Sequence, residues 1–284
     1  MITAASSGNL PLCVLLWGMG SAKQINLMTA VDEQGNNPFH HAVRAQTTDV
    51  MAFFNQQTKG MLTPEKRLVD STNNAGETAL LRAVPTGCMP VIKALLDEKS
   101  DVCHVNNNGH NVLHLCAKEC QLWTLNYLYH HISTTLGTDK ATEMLRAVDK
   151  DGQGVLELAA EAGDVNIVEL LVRQGLDPYR AHPSSGATPL HLAVSRHRLE
   201  MAVFLLHCGA NPYAEDAQGQ CALQLHALRQ DPALRAAVMR HPRVSRHGLS
   251  CLSTRDAITF PTFDDVEKGT ARFVYDSHTR ICMS

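Results

Sequence analysis

Apolar residues return along this chain in short bursts of helical spacing, and glycines stand between the bursts. The clearest burst places Leu190, Ala193 and Val194 at i, i+3 and i+4 behind Thr188-Pro189; after a polar break, Met201, Ala202, Phe204, Leu205 and Leu206 follow and run up to Gly209. Threonine is a good helix N-cap, proline suits a first helical position that has no use for its N–H, and glycine allows a left-handed stop. The pattern therefore predicts a helix-turn-helix unit. Each helix has one apolar face, and neither is long enough to persist alone.

The unit recurs. The glycine that opens it, Gly186, has counterparts at Gly35, Gly76, Gly109, Gly152 and Gly219, at successive intervals of 41, 33, 43, 34 and 33 residues. Four residues beyond each glycine stand Phe39, Leu80, Leu113, Leu156, Leu190 and Leu223, all large and apolar. A fixed period with a fixed apolar register is the mark of a repeat array over residues 31–244, in about six repeats. The two long intervals predict insertions near residues 55–70 and 130–147. Both Thr63-Pro-Glu-Lys-Arg-Leu-Val and Thr138-Asp-Lys-Ala-Thr-Glu-Met-Leu-Arg-Ala-Val have a cap, an early acid and apolar spacing, so each reads as an added helical turn or short helix. Residues 1–30 read as a degenerate N-terminal capping repeat, with Gly8-Asn-Leu-Pro-Leu-Cys-Val-Leu as its first helix and Ile25, Leu27 and Met28 opening a second.

Gly186-Ala-Thr-Pro-Leu-His-Leu-Ala-Val, a second helix with Leu205-Leu206, and the closing Gly209-Ala-Asn resemble the ankyrin repeat, whose pattern is Gly-x-Thr-Pro-Leu-His-x-Ala-Ala, Leu-Leu, Gly-Ala-Asp or Gly-Ala-Asn. The resemblance implies an all-α solenoid of stacked helix pairs with β-hairpin fingers between them, used to bind other proteins. It also implies a left-handed residue, usually glycine, eleven positions past each opening glycine, where this chain has Gln46, Gly87, Cys120, Gly163, His197 and Gln230. The motif histidine, present at His40, His114 and His191 and replaced by Leu81, Glu157 and Gln224, is implied to be structural, its ring bonding backbone of the turn and fingers. Pro85 falls near the end of a first helix and is expected to shorten it.

In the family, partners dock on the concave side, on finger residues flanking the opening glycine and on two residues at the end of each first helix. Carried over by position, the protein-binding residues are Glu33, Gln34, Asn36 and Arg44; Asn74 and Glu77; Asn107, Asn108, His110, Lys118 and Glu119; Lys150, Asp151, Gln153 and Glu161; Ser184, Ser185, Ser195 and Arg196; and Gln218, Gln220 and Arg229. They are mostly polar, as a solvated interaction face requires.

Composition agrees with thin layers rather than one thick core, since 44% of residues are apolar and only 5% aromatic. A net charge of −3 points to neither nucleic acid nor a membrane surface. Nine scattered cysteines, an odd number, fit reduced thiols in a cytoplasmic protein better than a disulfide framework. The apolar run Leu10 to Trp17 lacks a basic segment before it, the first basic residue being Lys23, so it does not read as a secretory signal, and no run approaches the roughly 18 residues of a membrane span.

Candidate chemistry is sparse. His110, His114, Cys116 and Cys120 crowd together at spacings that suit zinc, but the motif assigns His114 and Cys116 to packing and Cys120 to a turn, so no metal is expected. Arg229, Arg235, Arg240, Arg243 and Arg246, with His226, His241 and His247, make the last repeat basic; without interleaved aromatics they read as the charged face of a cap rather than a nucleic-acid site. From residue 245 to 284 the repeat stops, and Ala257-Ile-Thr-Phe and Ala271-Arg-Phe-Val-Tyr read as strands of a hairpin or as the start of a further domain. That tail holds Cys251 with His247, His278 and Asp256, the residue types of a thiol hydrolase, but no signature surrounds the cysteine. The expectation is a monomeric, non-enzymatic protein-binding module or scaffold with no cofactor and no catalytic residue. The alternative is the targeting half of a multidomain enzyme, or of a bacterial effector delivered into a host cytoplasm, with catalysis in a C-terminal domain.

Overall fold

The computed structural model describes residues 1–19, 24–58, 68–224 and 231–240, together with the backbone of 273–274 and 282–283. The chain divides into two compact units, Met1–Asp151 and Gly152–Ser284. The first contains α1 (Ile2–Ser6), α2 (Leu10–Met19), α3 (Gln24–Thr29), α4 (Pro38–Arg44), α5 (Thr48–Thr58), α6 (Ala79–Ala83), α7 (Met89–Asp97), α8 (Val112–Lys118), α9 (Leu122–Thr135) and α10 (Thr138–Arg146). The second contains α11 (Val155–Ala162), α12 (Val165–Arg173), α13 (Pro189–Ser195), α14 (Leu199–Cys208) and α15 (Pro232–Arg240).

Within each unit the helices pair and the pairs stack. First helices form one layer: α1 lies on α4, α4 on α6 and α6 on α8 in the first unit, and α11 lies on α13 in the second. Second helices form the other, with α2 on α5, α5 on α7, and separately α12 on α14 and α14 on α15. The apolar register read from the sequence is the seam of this stack. Phe39, Leu80 and Leu113 are fully buried and Leu156 and Leu190 nearly so, whereas Leu223, in the short 3-10 turn Ala222–Gln224, is only half-buried.

The caps explain where the helices begin. Thr78 accepts the Leu81 N–H, Asn37 the His40 N–H, and Asn111 the N–H groups of Leu113 and His114. Asparagine appears where an insertion follows. Its amide also donates: Asn37 Nδ2 reaches the Leu68 carbonyl at 3.0 Å and Asn111 Nδ2 the Met144 carbonyl at 2.8 Å, so each cap also holds the chain returning from the insertion. In the second insertion the expected helix is α10, which rests on α9; the stretch beginning at Thr63 lies outside the described residues. Pro85 acts as expected, because α6 stops at Ala83 and continues only as the 3-10 turn Val84–Thr86.

The N-terminal repeat has a different register from the one its sequence suggested. Ile2–Ser6 is the first helix and packs on α4, so Leu10–Met19 is the second helix rather than the first, and α3 is additional. Gly8 is the inter-helix turn, at φ +65°, stacked so closely on the next repeat that a Cβ would lie 2.7 Å from Thr47 Cγ2. A five-residue first helix without a motif left no signal except that glycine.

Three non-glycine residues occupy the left-handed position between helices, Gln46 at φ 54°, Cys120 at 55° and His197 at 56°, where Gly87 and Gly163 do so freely. Gln230 lies outside the described residues. A left-handed L-residue costs roughly 1–2 kcal/mol, and Cys120 is exposed. Cys120→Gly is therefore expected to stabilise the protein by roughly 0.5–1 kcal/mol, the higher entropy of glycine in the unfolded chain offsetting part of the relief. Urea unfolding at matched pH measures it, and a lower midpoint would contradict it.

In the tail, Phe273 pairs with Met283 and Val274 with Cys282, antiparallel. The strand expected around 271–275 thus includes a paired segment; the other expected strand, 257–260, lies outside the described residues.

Candidate protein-interaction surface on the fingers

Each finger is built by one acceptor side chain three residues before its opening glycine. Asp32 Oδ1 accepts the N–H of Gln34 and Asn36, Asn73 those of Ala75 and Glu77, Asn106 those of Asn108 and His110, and Asp216 those of Gln218 and Gln220, all between 2.8 and 3.0 Å. Asp149 holds the Asp151 N–H in the same way, and in the finger with one extra residue His182 Nδ1 takes over, facing the N–H groups of Ser184 and Ser185. Sequence reasoning missed this residue, although an Asp or Asn at a constant offset before a turn glycine was there to be found. A backbone bond closes the turn, as from Gly76 N–H to Asn73 O.

Fingers are then laced to one another. In the first unit the N–H of Asn74 donates to Gln34 O, that of Asn107 to Ala75 O and that of Lys150 to Asn108 O; in the second, Ala217 donates to Ser185 O. The approach explains the glycine, since a Cβ on Gly35 would meet the Asn74 nitrogen at 2.8 Å and one on Gly76 the Asn107 nitrogen at 2.9 Å. Side-chain amides repeat the lacing, with Asn74 donating to Glu33 O and Asn107 to Asn74 O.

Two of the motif histidines fix the base of the following finger. The His40 Nε2–H donates to Glu77 O at 2.8 Å and the His191 Nε2–H to Gln220 O at 3.1 Å, while their Nδ1 atoms face the N-cap N–H groups of Asn37 and Thr188. The ring thus bonds backbone of turn and finger, as the resemblance implied. Where histidine is absent, Gln224 Oε1 accepts the Cys221 N–H, and the Glu157 carboxylate is held by its own N–H and that of Gly154. Burial pushes the Glu157 pKa up against those bonds.

Burial likewise pushes His40 down, outweighing the Glu77 carbonyl that favours its charged form, with Arg82 and His41 adding to the effect. The folded state therefore prefers the neutral ring. A histidine with a folded pKa below its unfolded value contributes stability that is full above the unfolded value of about 6.5 and is lost as pH falls below it. Through His40 stability is expected to drop between pH 7 and pH 5, against the opposite trend of Glu157, whose raised pKa adds stability as pH falls, so His40→Gln is expected to flatten or reverse the dependence. Asp32 does not confuse the window: burial opposes it, but donors from Asn36, His41 and Gln34 hold its carboxyl at about 2, so its contribution fades only in stronger acid. Urea midpoints at the two pH values decide, and an equal drop in the variant would assign the effect elsewhere.

On this frame the residues selected from the sequence fall into distinct groups. Glu33, Gln34, Arg44, Asn74, Asn107, Asn108, Lys118, Glu119, Lys150 and Asp151 of the first unit, and Ser184, Ser185, Ser195, Arg196, Gln218 and Gln220 of the second, are exposed. Glu77, Gln153 and Glu161 are half-buried; Glu77 pairs with Arg82 at 3.4 Å and Glu161 with Arg196. Asn36 and His110 are corrected, since at 3% and 7% exposure they are buried. In these two fingers the residue after the opening glycine turns inward: Asn36 donates to Asp32 Oδ2 and accepts from Asn73, and His110 lies 3.2 Å from Asp149 Oδ2 and stacks on His114. Arg229 lies outside the described residues.

The residues weighed for other chemistry do not converge. His110 and His114 are engaged as described, Cys116 is buried with its thiol pushed far up by burial, and Cys120 points out of a turn. Of the basic run, Arg235 and Arg240 are exposed on α15, while Arg243, Arg246, His226, His241 and His247 lie outside the described residues, as do Cys251, Asp256 and His278. No helix among the described residues is long and apolar enough to cross a membrane.

A family model described as ankyrin repeats (3 copies) matches residues 57–139 and 131–216. The chain belongs to the ankyrin repeat family. Its sequence is similar to the NF-kappa-B p105 subunit of Gallus gallus, 26% identical over 190 residues, which are 65% of this chain and 18% of that protein. It is also similar to the B-cell lymphoma 3 protein homolog of Mus musculus, 29% identical over 199 residues, 70% of this chain and 42% of the relative. The chain thus spans less than half the length of these two relatives. Among solved structures, the human ASB11 ankyrin repeat domain superposes with a TM-score of 0.63 at 19% identity, covering 84% of this chain and 96% of that one. The ankyrin repeat domain of Bcl-3 does so with a TM-score of 0.57 at 24% identity, covering 78% and 91%. Both show the ankyrin fold that the helix pairs and laced fingers had indicated.

Proposed function

We propose that this ankyrin protein is a non-catalytic cytoplasmic module that binds a protein partner through its finger tips and the exposed ends of its first helices. One observation carries the reading: the backbone of each described finger is held from behind by an Asx-type turn or by His182, while the side chains at its tip are exposed and polar. Such a surface has donors and acceptors to offer and no reacting group. A relative whose name states a partner, the NF-kappa-B inhibitor cactus of Drosophila melanogaster, is named for another protein, and its likeness to 56 residues of this chain supports that class of partner.

Asn108, Lys118 and Lys150 are exposed on neighbouring fingers and on the end of α8. Replacing the three by alanine together is expected to weaken binding to a partner captured with the wild-type chain by at least about tenfold, with the circular dichroism spectrum unchanged. An unaltered affinity would move the interface away from the fingers of the first unit.

A further inference from the structure

Among the described fingers, the one built by His182 is held differently from the rest. Asn73 Oδ1 and Asn106 Oδ1 each accept two N–H groups at 2.9–3.0 Å. His182 Nδ1 instead faces the N–H of Ser184 at 3.4 Å, that of Ser185 at 3.3 Å and the Ser184 hydroxyl at 3.2 Å. A ring nitrogen has one lone pair for these three donors, whereas an amide oxygen has two. Accepting at Nδ1 also requires a neutral ring with its proton on Nε2, the buried edge that faces Gly152, where a Cβ would lie 3.4 Å from Nε2. The loop is longer as well. Gly186 closes on the His182 carbonyl four residues back, while Gly76 and Gly109 close on residues three back. Its Ser185 carbonyl accepts the Ala217 N–H, so the lacing to the following finger depends on the same loop.

We propose that this finger is proton-gated: when His182 takes up a proton at Nδ1, the N–H groups of Ser184 and Ser185 lose their acceptor, turn 183–186 opens, and the bond from Ala217 is released with it. A doubly protonated ring only donates, so it can keep the Ser184 hydroxyl as an acceptor but neither backbone N–H. Imidazole is the side chain that makes this change between pH 5 and 8. An asparagine acceptor does not titrate, and an aspartate, charged across that range, goes on accepting. The charged groups nearby do not forbid the change. On α11 the Glu157 carboxylate interacts electrostatically with both His182 and Arg180, so it offers an imidazolium a counter-charge that Arg180 tempers. On α13 His191 is turned to Thr188 and the Gln220 carbonyl, and Asp216 of the next finger is taken up by the N–H groups of Gln218 and Gln220. The gate concerns the finger itself and holds whether or not its tip meets a partner.

Nuclear magnetic resonance of the full, 15N-labelled chain tests the proposal. Local amides are read rather than global stability, because His40 and Glu157 also change their protonation in acid. At pH 8 the ring nitrogens of His182 are expected to show the Nε2–H tautomer. From pH 7.5 to pH 5, protection of the Ser184, Ser185 and Ala217 amides against solvent exchange, corrected for the intrinsic rate, is expected to fall at least about tenfold. Ala75 and Asn108, held by asparagines, are expected to keep theirs. His182→Asn, which supplies an acceptor that does not titrate, is expected to abolish the response, and Glu157→Gln to retain it. An Nδ1–H tautomer at pH 8 overturns the proposal, as does unchanged protection of Ser184 and Ser185 while the His182 ring titrates. An equal loss in His182→Asn overturns it too, and loss of the response in Glu157→Gln would assign the gate to the carboxylate. The tautomer and the exchange of the wild-type chain need no variant, so they decide the matter even if His182→Asn does not fold.

Discussion

Leu190→Asp is expected to lower stability by about 4 kcal/mol or more and to unfold the neighbouring repeats with its own. Leu190 is 1% exposed in α13, which lies between α11 of the preceding repeat and the Ala222–Gln224 turn of the next and packs on its own partner α14. A carboxylate there has no described cation to pair with. It must either stay charged in an apolar layer or take up a proton, and both routes destabilise the fold. Because each repeat buries its face only against its neighbours, the loss spreads along the stack of the second unit rather than staying local. A thermal melt by circular dichroism measures both amplitude and midpoint; little change in either would remove Leu190 from the interior.

Leu190 was legible because its environment is set by period. A large apolar residue four places past a repeating glycine must meet its equivalent in the next repeat, so Phe39, Leu80 and Leu113 could be assigned to the core without coordinates. The left-handed turns at Gln46, Cys120 and His197 were legible for the same reason, although none is glycine, since the position in the repeat fixes the backbone there. What could not be read depends on a neighbour's side chain rather than on the period. Asn36 and His110 look like finger-tip residues, but their burial is decided by Asn73 and Asp149 of the following fingers. The N-terminal repeat failed for want of a motif, and there only the contact with α4 identifies Ile2–Ser6 as a first helix.

Asn111→Ala is expected to cost about 3 kcal/mol, more than an ordinary cap, which is worth about 1. The buried Asn111 side chain accepts the N–H groups of Leu113 and His114 at 3.0 Å and donates to the Met144 carbonyl at 2.8 Å. Alanine leaves those groups without their partner inside the protein. Asn111→Thr separates the two roles: a threonine hydroxyl can restore the cap, as Thr78 does in its own repeat, but cannot reach Met144 in the same way. The threonine variant is therefore expected to recover about 1 kcal/mol and to leave amide hydrogens of α10 exchanging faster than in wild type. Hydrogen exchange across Thr138–Arg146, read beside urea unfolding, checks both parts, and full recovery by threonine would show that the bond to Met144 holds nothing in place.

The finger frame has a consequence for the thermodynamics of recognition. Ordering one residue's backbone costs about 1–2 kcal/mol, and a loop that orders only on meeting its partner must meet that cost out of its affinity. Here the acceptor of each finger and the lacing bonds between fingers fix the tips as the protein folds. What remains to be ordered on contact is the rotamers of exposed side chains such as Gln34, Asn108, Lys150 and Gln218, so even a modest number of polar contacts can yield a measurable affinity. Apart from Asn74 and Asn107, whose amides share in the lacing, the exposed tip side chains lie outside the set that holds the loop, and point substitutions there can alter which partner is recognised while the folding free energy stays nearly constant.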